Sequence, residues 1–201
     1  MAISFPISIP SSPAIKSVKF KMVNASAFNS SPFTGQQQVT VFPGQWWEIE
    51  VTLPTMTRAD AEEWISFLAK LNGHEGTFNI GDPDGATPRG TGGGTPLVNG
   101  ASQTGQDLIT DGWNLSEAVL KTGDYVQIGT KLYKSLTDVT SDGSGNATLT
   151  LYPSVKTAPS DGASIIVTNT TGTFRLKTPV SGWSADSLSH YTVSFSAVEA
   201  I

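Results

Sequence analysis

"TMTRADAEEWISFLAKLNGHEGTFNIGDPDGATPRGTGGG" spans residues 55–94 and passes from a helix with both ends marked to a segment with almost no apolar residue. Thr57 is placed to cap a first turn with its hydroxyl, Asp60 suits the positive end of the helix, and Asn72-Gly73 supplies a left-handed stop. Between these signals Ala61, Trp64, Ile65, Leu68 and Leu71 recur at three- and four-residue spacing, while Arg58, Glu62, Glu63 and Lys70 fall elsewhere. The spacing predicts a helix over 57–72 with one buried face. After it, Phe78 and Ile80 share one side of a short extended segment that Asp-Pro and Asp-Gly terminate. From Gly81 to Pro96 the composition reads as a flexible connection, so the chain is expected to cross there from one domain to another.

Strands flank the helix on both sides. "SVKFKMVN" sets Val18, Phe20 and Met22 against Ser17, Lys19 and Lys21, and "QWWEIEVTL" sets Trp47, Ile49, Val51 and Leu53 against Glu48, Glu50 and Thr52. "TGQQQVTVF" reads as a separate, weaker strand. Near the end of the chain, "HYTVSFSAVEA" alternates Tyr191, Val193, Phe195 and Ala197 with Thr192, Ser194 and Ser196. This period of two predicts antiparallel strands with one face on a core. The middle of the chain is patterned differently. There "DLITDGWNL", "GDYVQIGTKLYKSLTDV", "NATLTLYPSV" and "ASIIVTN" are short runs separated by turn signals, as in a small antiparallel barrel or sandwich. The clearest of them is a hairpin turning at Gly129-Thr130 with Val126, Ile128, Leu132 and Leu136 as core.

Composition narrows the function classes. The 201 residues are 38% apolar, with 20 Gly, 12 Pro and no Cys, which excludes disulfide frames and thiolate metal sites. A net charge of −5 offers no basic surface, so neither nucleic-acid binding nor attraction to anionic lipid is expected. "MAISFPISIPSSP" lacks the positive start and long apolar run of a secretory leader, and no segment reaches membrane-spanning length. Synthesis in a cytosol and no membrane insertion are the expectations.

In the order of its parts the chain resembles the distal tail proteins of siphophages, which form the ring at the tip of a long flexible tail. The resemblance runs through "WWEIEVTLP", "MTRADAEEWISFLAKLNGHEGTFNIGDPD", the glycine-rich exit, "GASQTGQDLITDGW", "KTGDYVQIGTKLYK" and the closing "GTFRLKTPVSGWSADSLSHYTVSFSAVEAI", which together cover nearly the whole chain. It implies a mainly β fold: a split β-sandwich ring domain over 1–84 and 173–201, carrying the helix, around an inserted OB-like β-barrel over 85–172. It also implies a structural virion protein, made in the host cytoplasm, that forms a hexameric ring joining the tail tube to the tail-tip hub or baseplate. The implied partners are copies of itself, the tail tube protein and the hub protein.

The family brings no catalytic motif, and the residues supply none. His74 and His190 are the two histidines; Asp186, Ser187 and Ser189 lie near His190 in sequence, but neighbours on one strand cannot converge on a substrate opposite an oxyanion hole. His74, just past the helix stop, suits the negative end of the helix. Asp82 and Asp84 in "GDPDG" read as a turn, since the remaining ligands of a calcium loop are missing. "GTGGGTP" lacks the Lys-Ser/Thr of a phosphate loop, and "SDGSGN" reads as a hairpin tip. No enzyme activity, cofactor or metal is expected.

Two surfaces remain as candidates. Gln36, Gln37 and Gln38 on a polar edge, with Trp46 and Glu48 pointing away from the Trp47 face, are candidate ring-interface residues. Trp113, Tyr125, Tyr133 and Tyr152 are candidate surface residues of the insert, which gives an alternative function: a carbohydrate-binding tail-tip module stacking host sugars on exposed rings.

Overall fold

A computed structural model describes residues 3–200; positions 1, 2 and 201, which belong to the expected ring domain, lie outside the described residues. The fold is mainly β with a single helix among the described residues. The first half contributes β1 (Ile7–Ser8), β2 (Ser17–Ser30), β3 (Gln37–Thr52), α1 (Arg58–Lys70) and β4 (Phe78–Ile80). The middle contributes β5 (Gly94–Val98), β6 (Gly105–Trp113), β7 (Ala118–Leu120), β8 (Tyr125–Ile128), β9 (Lys131–Ser135), β10 (Val139–Thr140), β11 (Ala147–Val155) and β12 (Ile165–Ile166). The chain closes with β13 (Gly172–Leu176), β14 (Trp183–Ala185) and β15 (Tyr191–Glu199).

One large sheet runs β1-β4-β13-β15-β3-β2, with β14 paired to β15; a second runs β12-β8-β9-β11-β6-β5, and β7 pairs with β10 in a small third sheet. In the second sheet Leu97 bridges Ser164, and the Val98 N–H donates to the Ala163 carbonyl at 2.9 Å. The two edge strands therefore meet, and the sheet curls into a nearly closed barrel. The chain leaves the first sheet after Ile80 and re-enters it at Gly172, which pairs directly with Ile80. The segment between therefore leaves and re-enters through two adjacent strands.

The glycine-rich crossing is ordered. A Cβ at Gly81 would sit 1.9 Å from the Thr170 carbonyl oxygen, and one at Gly90 2.3 Å from that of Val119. These glycines allow backbone to touch backbone, which overturns the flexible-connection reading. The buried Asp124 carboxylate ties the same segment down, accepting from the N–H groups of Arg89 and Gly90 and from that of Lys121 at 2.8 Å. Burial alone would raise its pKa, but these three donors hold it below the ordinary carboxylate value.

Helix α1 follows its sequence signals at both ends. Asn72 and Gly73 adopt φ 47° and 66°, the left-handed stop. Thr57 occupies the N-cap, yet its hydroxyl donates to the Asp60 carboxylate at 2.8 Å and leaves the backbone N–H groups uncapped. Ala61, Trp64, Leu68 and Leu71 are buried as expected, and Phe67 joins them while Ile65 is only half-buried. Phe67 packs edge-on against Phe78 with ring centroids 5.5 Å apart, and Trp64 lies beside Phe195 at 6.3 Å. The Trp64 indole N–H has no partner. Trp64→Phe removes that unpaired donor and leaves a smaller void than Trp64→Ala, for which a large-to-small core change costs about 3–5 kcal/mol. Urea melts should place Trp64→Phe well below the alanine variant in cost, and Glu63→Ala, on the wet face, within about 0.5 kcal/mol of the parent.

The two sheets share a wall. In the β8–β9 hairpin, Val126, Ile128 and Tyr133 face the barrel core, while Tyr125 and Leu132 belong to the core of the first sheet; Leu136, expected in the core, is 38% exposed. Trp47 stands edge-on to Tyr152 with centroids 5.1 Å apart and donates its indole N–H to the Leu132 carbonyl at 2.9 Å. At the rim of this seam the Glu199 carboxylate accepts from the Trp47 N–H at 3.2 Å and lies 4.0 Å from the Lys131 Nζ. Burial raises the Glu199 pKa above 4.5, against the pull of that N–H, Lys131 and Lys156. A raised carboxyl pKa in the fold gives a stability contribution that is complete below 4.5 and lost as pH rises through the folded value. Glu199→Gln should flatten the fall in stability from pH 4.5 upward; denaturant melts with the same pH profile for both proteins would contradict this.

Candidate interface: a projecting hairpin arm

β2 and β3 form one long ladder. Register runs without interruption from Ser17 opposite Thr52 to Asn24 opposite Gln45, then resumes at Ser26 opposite Val41 and ends at Ser30 opposite Gln37. "TGQQQVTVF" is thus the outer part of the same strand as "QWWEIEVTL", because Pro43 and Gly44 sit in the bulge where the ladder shifts. The bulge is tight: a Cβ at Gly44 would lie 2.9 Å from the Ala25 Cβ. β15 supports β3 only from Glu48 to Thr52. Beyond Gln45 the two strands pair with each other alone, and at the strand rise of about 3.3 Å per residue they project roughly 25 Å from the body.

The arm has the surface of an interface. No charged residue occurs between Lys21 and Glu48. Register puts Phe28 directly opposite Val39 and Ser26 opposite Val41, on the face that nearer the body carries Phe20 and Trp47. The apolar face of the sheet therefore continues past the end of its core. Phe28, Val39, Val41 and Phe42 are all more than half exposed, and Phe33 in the terminal turn is 95% exposed. Edge strands left in water are normally protected by charge. A bare two-stranded ribbon is marginal by itself.

The candidate ring residues divide along this arm. Gln37 and Gln38 form its last rungs, opposite Ser30 and Asn29, and Gln36 ends the turn by accepting the Ser31 N–H at 2.8 Å; all three are exposed. Trp46 lies at the root, half-buried on the outer face opposite Val23. Glu48, also half-buried, is engaged within the chain by Lys177 at 2.7 Å and is no open anchor. The apolar stripe itself escaped the sequence reading; the signals that find it are the charge-free span and the Val39-Thr40-Val41 alternation.

The insert surface candidates are corrected. Trp113, Tyr125, Tyr133 and Tyr152 are 3%, 5%, 7% and 5% exposed, and these are the only aromatic residues between 85 and 172. The Trp113 indole donates to Thr110 Oγ1 at 2.8 Å, the Tyr152 hydroxyl donates to the Val23 carbonyl at 3.0 Å, and burial pushes the Tyr133 hydroxyl up to about 12. No ring is left for a sugar to stack on. β8 and β9 are covered on both faces, so alternation leaves no wet side.

The polar candidates form turns. The Asp186 carboxylate accepts from the Leu188 and His190 N–H groups and lies 3.1 Å from His190 Nδ1, closing the β14–β15 connection on itself. Asp82 accepts the Asp84 N–H, and Asp142 accepts those of Ser144 and Asn146. Past the helix, the His74 Nδ1 lies 2.9 Å from the Leu176 carbonyl. Among the described residues no three His, Asp or Glu side chains gather as a metal site, and no helix is long and apolar enough to cross a membrane. No protein-family model matches the chain, and no curated protein matches it.

Proposed function

We infer that this chain is a structural ring protein of a siphophage tail tip. In this reading residues 1–84 and 173–201 are the split β-sandwich of the ring and residues 85–172 an inserted OB-like barrel. Copies close head-to-tail into a hexameric ring between the last tail-tube ring and the tip hub. The observation that carries the reading is the arm: an uncharged ribbon with exposed Phe28, Phe33, Val39 and Val41 whose strands, among the described residues, pair only with each other. Such a surface fits a subunit boundary, and a repeated contact lets one element serve every copy. The place and the symmetry proposed are those that the resemblance to distal tail proteins implies. The role is assembly, with the tube protein, the hub and further copies as partners, and with no cofactor or catalysis.

The test is to image intact tails that carry a labelled copy of this chain. Label confined to the distal end of the tube is expected; label along the tube would exclude the tip.

A further inference from the structure

A second apolar surface lies at the other end of the same sheet. β14 pairs with β15 through Trp183–Val193 and Ala185–Tyr191, past the end of β3, where Ser194 is opposite Thr52. Trp183 shares the core-facing side with Val193 yet is 55% exposed. Between Trp183 and the helix a groove of about 330 Å³ opens, lined mainly by Ile65, Leu68, Ala69 and Pro179, with Asn72 and Ser181 as its polar side chains. None of its lining residues is charged, and Val180, between Pro179 and Ser181, is 80% exposed.

We propose that this groove receives the arm of a second copy of the chain, with Phe33 seated against Trp183 and the Phe28–Val39 stripe covering the rim. The inference rests on the ring reading and specifies its contact. Both surfaces are uncharged, so their contact buries no unpaired ion. They extend one apolar face of one sheet in opposite directions. The arm leaves β3 at Gln45 and the groove lies past Thr52, so the arm runs away from its own groove and meets only that of a neighbour. Different patches meet at such a contact, which makes it head-to-tail. A buried aromatic knob in an apolar pocket is the usual anchor of such interfaces.

The absence of cysteine permits a direct test. Two full-length preparations are made, one carrying Thr34→Cys beside Phe33 and one carrying Ala69→Cys on the groove wall, and they are mixed under mild oxidation near their solubility limit. A disulfide between the two is expected, since it requires Cα atoms within about 7 Å of each other. Adding Phe33→Ala to the first preparation should lower the yield about tenfold, the loss of roughly one anchor contact. Leu115→Cys, exposed on the barrel, serves as the control partner in place of Ala69→Cys. Equal yields with both partners overturn the groove assignment. So does the absence of a link in tails that nevertheless show a hexameric ring, in which case the ring reading stands. If the link and the ring are both absent, both readings fall.

Discussion

Trp47→Ala should cost about 4–6 kcal/mol, more than any other single truncation in the chain: about 3–5 for a large cavity, with the lost hydrogen bond to Leu132 adding to it. Trp47 is 1% exposed and stands where β3 meets the barrel wall, edge-on to Tyr152 and to Phe20 at 5.9 Å. Its removal opens the seam between the two sheets. The expected melt is therefore lower and also broader, the barrel and the first sheet no longer unfolding together. Trp47→Phe keeps an aromatic body and loses the N–H, so its cost should lie nearer that of the hydrogen bond, about 1 kcal/mol. Calorimetry that finds one sharp transition at the parental temperature for the alanine variant would show that the seam does not couple the sheets.

Shortening the arm should do the opposite: no loss of stability and complete loss of assembly. Asn24 and Gln45 stand opposite each other, so an Asn-Gly turn replacing residues 25–44 makes a two-residue hairpin. The removed segment is nearly all exposed and pairs only with itself, so the melting temperature should be almost unchanged. Tails assembled with this variant as their sole copy should lack the tip ring. A milder form, Gln37→Glu, puts one charge on the face of the Phe28–Val39 stripe and repeats it at every boundary, and should weaken assembly in a salt-dependent way. Normal tails from the shortened chain would remove the arm from the interface.

Much of the fold was legible where one rule acts on one element. Trp47, Ile49, Val51 and Leu53 alternate because β3 has a wet face there, and the helix stop at Asn72-Gly73 needs only local geometry. β13 pairs with β4 from Gly172 onward, next to the boundary expected at 173. What was not legible depends on tertiary proximity. Tyr125 and Tyr133 stand on opposite faces of one hairpin, and both are buried because that hairpin lies between two cores. The glycines at 81 and 90 look like linker until Thr170 and Val119 are found against them. Glu48 looks free until Lys177 arrives from far along the chain. The arm was hidden for a different reason: Pro43-Gly44 reads as a strand break, and a bulge absorbs it.

The proposed role requires a single ring at the end of the tube. Cryo-electron microscopy of intact tails tests it most directly, because copy number and position are read together. The expected density is one hexameric ring of this chain below the last tube ring, each arm crossing to the next subunit. Many stacked rings along the tube, or a single copy at the apex, would contradict the account and make the chain a tube protein or a tip fibre.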